Sequence, residues 1–303
     1  MRTIPLIDLS QFEKGDVGEK NIFIETLGNA FHTVGFVGVI NHGIPSDLIQ
    51  SFYREAHAFF ALSESEKLKY KIPGANGQRG YTAFGTEHAK QSKVADLKEF
   101  FQIGNTGNVS VLETPTFLSL GENLYQSFER AGSSLLQAIA LHLNLPVDYF
   151  DQRIENGTSI LRAIHYPPIT QEPASAIRAE QHEDINLITL LVGASAGGLE
   201  LLSKEGKWLP IVPQADEIVI NVGDMLQRLT NNYLRSTTHR VVNPPKEEWH
   251  LPRLSIPFFL HPRPEMDLSC LENCVSDENP LHFEPITAGE YLDERLREIG
   301  LKK

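Results

Sequence analysis

The period of apolar and polar positions changes along this chain, and the change divides it. Ile4 to Ser10 (IPLIDLS) alternates apolar and polar residues and predicts a strand. Helical spacing follows from about Gly18 to His32. Gly35 to Pro45 (GFVGVINHGIP) carries β-branched and aromatic residues and ends in turn formers, which predicts a buried strand. PSDLIQSFYREAHAFFAL, from Pro45, returns to helical periodicity, and Ser63 with Glu66 forms a capping-box signature for a further short helix. Lys71 to Gly85 (KIPGANGQRGYTAFG) is glycine-rich and aperiodic, a loop suited to a lid or pocket wall. A long helix is predicted over Leu120 to Leu143, with Leu124, Phe128, Leu135, Ile139 and His142 on one face and Leu145-Pro146 closing it.

From Thr158 onward the texture changes. SILRAIHY, INLITLLV, GGLELL, EIVINV, THRVV and RLSIPFFL follow one another with turn residues between them. Many short strands in series predict a barrel or jelly roll rather than alternating βα units. The expected architecture is mainly β with α, a jelly-roll core with a helical N-terminal region packed on it. The expected division is 1–110, then 111–157 as a support helix and connection, then 158–303 as the core with a C-terminal helix. No repeat or low-complexity linker separates the halves, so they are expected to share one body.

Composition narrows the function classes. The 303 residues suffice for a full core, and 41% are hydrophobic. The net charge is -12 and no run of Lys/Arg appears, which argues against a nucleic-acid partner. The N-terminal MRTIPLIDLSQF lacks the apolar stretch of a secretion signal, and no stretch reaches the length of a membrane span. A soluble cytoplasmic protein with no membrane partner is expected. Oligomeric state is left open, and a monomer is compatible with everything above. The two cysteines, Cys270 and Cys274, do not match the spacing of a tight zinc pair and are expected to be reduced thiols.

The candidate chemistry begins at QHEDINLITLL. On a strand, residues two apart share a face, so His182 and Asp184 would converge while Glu183 points away. An imidazole and a carboxylate are two corners of a metal site. His239, in RSTTHRVV on another predicted core strand, is the best third; His250, in the loop-like KEEWHLP, and His261, beyond a strand end, rank lower. Two histidines and one carboxylate on one side of an ion leave the other positions open, as in non-haem Fe(II) oxygenases. An H-x-D triplet alone is weak, because a surface pair at a strand start is commoner. RLSIPFF adds Arg253 and Ser255, again two apart. A guanidinium inside an apolar barrel needs a partner, either a core acid or the carboxylate of a captured small molecule.

With these residues in view, the chain resembles the isopenicillin N synthase-like family of Fe(II)/2-oxoglutarate-dependent dioxygenases over nearly its whole length. IPLIDLS and GFVGVINHGIP resemble its N-terminal region, and GYTAFGTEHA with DLKEFFQIG its middle signature. INVGDMLQRLTNNYLRSTTHRV resembles its most recognisable block, RLSIPFF its oxoglutarate motif, and TAGEYL a further element. The resemblance implies a double-stranded β-helix (jelly-roll, cupin-like) core. It implies Fe(II) on His182, Asp184 and His239, with 2-oxoglutarate and O2 as co-substrates. It assigns the far carboxylate of 2-oxoglutarate to Arg253 and Ser255, and a hydrogen bond to Tyr166, which precedes Pro167. Many relatives carry Asn where this chain has Ile164. Strand alternation puts Arg162, Ile164 and Tyr166 on one face, so an inward Arg162 would suit an anionic substrate unless it pairs with a core acid. Tyr81 and Phe84, beside Gly80, and Phe259 are candidate substrate walls, although aromatics are more often plain core. The reaction implied is hydroxylation, or desaturation or cyclisation, of a small organic substrate with release of succinate and CO2. Asp184 separates the chain from related halogenases, which lack that carboxylate.

Two other readings compete. A 2-oxoglutarate-independent oxidase, of the isopenicillin N synthase or ethylene-forming type, keeps the same iron site. A non-catalytic binding protein on the same fold predicts a missing metal ligand, and none is missing.

Overall fold

The computed structural model describes residues 3–88, 94–193, 195–214 and 216–302. Its strands are β1 (Leu6–Asp8), β2 (Phe36–Ile40), β3 (Gly80–Thr82), β4 (Glu99–Gly104), β5 (Ile160–Tyr166), β6 (Ala179–His182), β7 (Ile188–Val192), β8 (Leu199–Leu202), β9 (Trp208–Pro210), β10 (Ile218–Val222), β11 (His239–Val241) and β12 (Arg253–Leu260). They form an eight-stranded sheet in the order β1-β2-β10-β7-β12-β5-β4-β3 and a four-stranded sheet in the order β6-β11-β8-β9. Together they make the double-stranded β-helix core. The N-terminal region does more than pack helices on this core, because β1 with β2 and β4 with β3 extend the large sheet at its two edges.

β12 shows why the sequence folds this way. Leu254, Ile256, Phe258 and Leu260 belong to the main apolar core. Arg253, Ser255, Pro257 and Phe259 alternate with them and line an internal cavity. On the apolar side lies the helix Phe117–His142, where Phe128 stacks on Phe258 with ring centroids 5.4 Å apart. Gly132 permits that approach, since a Cβ there would meet Leu260 Cδ1 at 2.3 Å. Phe128 is fully buried, so Phe128→Ala is expected to cost about 3–5 kcal/mol, read as a lower urea midpoint.

Some elements differ from the pattern reading. IPLIDLS supplies only a three-residue strand, because the Asp8 carboxylate accepts from Ser10 N and caps a short helix, Leu9–Lys14. The long helix starts at Phe117 rather than Leu120. The Ser63/Glu66 capping box forms as expected. β4 lacks alternation because all six of its residues are buried, which hides it from a period-2 test.

Candidate metal centre and co-substrate pocket

β6 ends at His182, β11 begins at His239, and the two residues are paired across the small sheet. Asp184 lies two residues past the end of β6, so the trio does not arise from strand alternation as the H-x-D spacing suggested. Instead the Asp184 carboxylate is held by two inward polar groups of the large sheet. Thr189 Oγ1 donates to Oδ2 at 2.6 Å and Asn221 Nδ2 donates to the same oxygen at 2.8 Å. Oδ1 is left 3.9 Å from His182 Nε2 and 3.9 Å from His239 Nε2. Two donors about 2.1 Å from one ion can stand no more than about 4.2 Å apart, so both pairs fit a shared ion.

The protonation states agree. His182 Nδ1 lies 2.7 Å from Glu180 O and His239 Nδ1 lies 3.1 Å from Thr237 O. A carbonyl only accepts, so each ring donates from Nδ1 and turns Nε2 toward Asp184. Burial, with His239 beside it, pushes His182 down to about 4, so this imidazole is neutral near pH 7. Burial works to raise Asp184, but the two imidazoles and the Asn221 and Thr189 bonds outweigh it and hold the carboxyl below its usual range. Two imidazole nitrogens and one carboxylate oxygen suit a divalent first-row ion. Among the described residues this is the one such cluster of three. His250 sits in an exposed turn, and His261 reaches the cavity without joining the trio.

The cavity holds about 780 Å³ and is lined by alternate residues of two paired strands. Arg253 stands opposite Tyr166 and Ser255 opposite Ile164. Arg253 is 2% exposed, and its Nε donates to Ala196 O (3.0 Å) and Gly197 O (3.1 Å). Its guanidinium lies 5.0 Å from the centroid of the Tyr166 ring. No core acid pairs with it among the described residues, and Nη1 is buried without a hydrogen-bond partner. A second buried arginine, Arg178, lies on the same tyrosine at 6.0 Å and donates to Leu251 O, two residues before Arg253. Burial, with Arg253 nearby, pushes Arg178 down to about 10, as expected for two cations sharing a dry site. An orphaned guanidinium in a positive, water-poor pocket fits an incoming carboxylate.

Farther along the same strands lie Arg162, Ile164 and Phe259, all on the cavity wall. Arg162 is already paired: Nη1 lies 3.2 Å from Glu87 Oε2 and Nε donates to Gln102 Oε1 at 2.8 Å. Of the two alternatives for this arginine, pairing with a core acid is therefore the one observed. Tyr81 and Phe84 depart from expectation. Tyr81 packs on Phe59 in the main core and donates to Glu99, away from the cavity. Phe84 sits on a turn, 50% exposed, and does not line the cavity. A glycine-rich loop and a nearby aromatic do not say which way the side chain faces. Thr189, Asn221, Glu87 and Lys98 escape the sequence reading, as does the roof formed by Leu292 and Leu296 of the helix Ala288–Glu298. A signal for two of them is legible: one polar residue inside each apolar run, ITLLV and IVINV.

The family model described as the 2OG-Fe(II) oxygenase superfamily matches residues 157–262. The model for the N-terminal part of the non-haem dioxygenase in morphine synthesis matches residues 4–117. The 2-oxoglutarate-dependent dioxygenase htyE of Aspergillus rugulosus is 31% identical over 97% of this chain and 98% of its own. The chain belongs to the 2OG-Fe(II) oxygenase superfamily. Among solved structures, the oxygenase is similar to a Caulobacter crescentus protein assigned to the 2OG-Fe(II) oxygenase family. That match is 42% identical with a TM-score of 0.87, covering 99% of this chain and 100% of the other. It is also similar to a full-length Neurospora crassa protein solved in complex with alpha-KG, which is 2-oxoglutarate. Here identity is 32% and the TM-score 0.88, with 97% and 95% of the two chains covered. The Neurospora crassa protein has further been seen with thymine and with 5-formyluracil, both small molecules. The oxygenase is an oxidoreductase that uses Fe(II), 2-oxoglutarate and O2. Relatives that bind or are named for 2-oxoglutarate do not favour the co-substrate-free alternative. Among the described residues, no helix is long and apolar enough to cross a membrane.

Proposed function

We propose that His182, Asp184 and His239 hold the Fe(II), that Arg253 and Ser255 grip the far carboxylate of 2-oxoglutarate, and that Tyr166 adds a hydrogen bond to it. A small organic molecule then sits beside Arg162, Ile164 and Phe259 and is hydroxylated at carbon. The observation that carries this reading is the unpartnered Arg253 Nη1 in the same cavity as the trio. A buried guanidinium without a counter-ion is unfavourable by several kcal/mol, and a bound carboxylate offsets that. Bound iron and co-substrate supply the activation of O2, with the co-substrate leaving as succinate and CO2. The chain's own residues orient and exclude. The Nδ1 bonds to Glu180 O and Thr237 O aim the imidazoles, Thr189 and Asn221 fix the carboxylate, and the apolar walls Leu191 and Val241 limit water. Two free thiols, Cys270 and Cys274, support a reducing, cytoplasmic setting for it.

The test is oxygen consumption by the iron-loaded protein with and without 2-oxoglutarate. Consumption that depends on 2-oxoglutarate and yields one succinate per O2 is expected. Equal rates in its absence would favour the co-substrate-free oxidase instead.

A further inference from the structure

His261, which ranks below His239 as a metal ligand by sequence, stands in the cavity with its ring unpartnered. It follows Phe259 by two residues on the cavity face. Phe259 is level with Thr189, the residue that holds Asp184, so His261 stands one step beyond the metal trio, away from Arg253. Its backbone is pinned on both sides by Ser159: His261 N donates to Oγ at 3.1 Å, and Oγ donates to His261 O at 3.2 Å. The residue is 5% exposed, its Nδ1 is buried without a partner, and no side-chain hydrogen bond is made to any described residue. A buried polar atom left unpaired costs about 1–3 kcal/mol, and the residue lines the cavity, so a bound molecule can supply a ring partner that the chain does not.

Arg162 supplies a second open group. Nε and Nη1 are engaged by Gln102 and Glu87, which leaves Nη2 without a partner among the described residues. The guanidinium is held between two rings, 4.1 Å from the Phe100 centroid and 5.1 Å from that of Phe259, so this donor is fixed in direction. The charges around it cancel. Glu87 meets Arg162 at 3.2 Å and Lys98 at 2.6 Å, and Lys98 meets Asp96 at 2.8 Å. Burial, aided by Arg162 and Arg79 and opposed by Asp184, pushes His261 down to about 4, so it adds no charge. Arg79, the other arginine acting on His261, has no carboxylate partner among the described residues, but its donors go to Thr106 O, Gln78 O and Asn105 Oδ1 and it does not line the cavity. On the cavity wall itself, an acid meets carboxylates that have no spare cation, and an amine meets cations that have no spare carboxylate.

We propose that His261 and Arg162 Nη2 together read the substrate, and that the substrate is an uncharged amide-type molecule: a carboxamide, lactam or cyclic imide. Its carbonyl accepts from Arg162 Nη2 and a second polar atom meets the His261 ring. This inference rests on the cavity being the oxygenase active site proposed above, and it replaces the anionic substrate that Arg162 suggested in the sequence.

The experiment pairs neutral probes with their acids, thymine with orotate and benzamide with benzoate. Binding to the anaerobic Fe(II)–2-oxoglutarate protein is read by calorimetry and by the change in its visible charge-transfer absorption. The neutral member of at least one pair is expected to bind tenfold or more tightly than its acid. His261→Leu should weaken that neutral probe about tenfold, while His261→Asn, which keeps a donor and an acceptor, should recover part of the loss. The Kd for 2-oxoglutarate should stay within twofold in both variants, which also reports that they fold. Tighter binding of the acids, no response to any neutral probe up to 10 mM, or unchanged probe affinity in a folded His261→Leu would each overturn the inference. If the wild-type protein shows no 2-oxoglutarate binding, the active-site reading falls as well. If 2-oxoglutarate binds but the pairs do not separate, only the present inference falls.

Discussion

Asp184→Ala is expected to lower Fe(II) affinity by roughly a hundredfold or more and to abolish succinate formation. Loss of a residue that merely orients a ligand typically costs 10- to 100-fold in metal affinity, and loss of the ligand itself should reach at least the upper end. The two imidazoles stay in place in this variant, because Glu180 O and Thr237 O orient them independently of the carboxylate. Two imidazole nitrogens alone provide no charge to offset the dehydration of a divalent ion. Asn221→Ala should fall between wild type and Asp184→Ala, since Thr189 still holds Oδ2. Iron retained after dialysis, measured per chain, ranks the three proteins. Full iron content in Asp184→Ala would remove that residue from the coordination sphere.

Arg253→Ala is expected to raise the Kd for 2-oxoglutarate by on the order of a hundredfold or more, about 2–5 kcal/mol, with iron binding kept. The loss is large because the carboxylate would be left in a dry pocket without its counter-charge. Arg253→Lys should recover little. The guanidinium is anchored through Nε to Ala196 O and Gly197 O, which leaves Nη1 without a partner, and an ammonium cannot both keep that anchor and offer a further donor in the same fork. Arg178 cannot stand in for it, since it contributes no wall to the cavity and is tied to Leu251 O. Anaerobic titration of the two variants with 2-oxoglutarate reads this directly.

The sequence carries the long-period information well and the short-range geometry less well. β12 is legible because apolar and polar residues alternate along it, and that alternation places Arg253, Ser255 and Phe259 on one wall. β4 is not, because burial on both faces removes the alternation. Residue types point to the metal trio, but spacing alone does not account for it: the H-x-D triplet runs off the end of β6, and two polar residues on other strands turn Asp184 inward. Such cross-strand support depends on register, which a single sequence does not encode locally. The same limit explains Arg162, whose inward direction is readable from β5 while its partner Glu87, 75 positions away, is not. Tyr81 and Phe84 show the opposite case, in which proximity to a glycine-rich loop carries no directional information.

The central claim is that one ferrous ion and one 2-oxoglutarate share a single cavity. Its most direct measurement is an anaerobic titration of the metal-free protein, first with Fe(II) and then with 2-oxoglutarate. One iron per chain is predicted, followed by a visible charge-transfer band that saturates at one equivalent of 2-oxoglutarate and never forms without iron. Iron binding with no such band, or 2-oxoglutarate binding unaffected by the presence of iron, would contradict it.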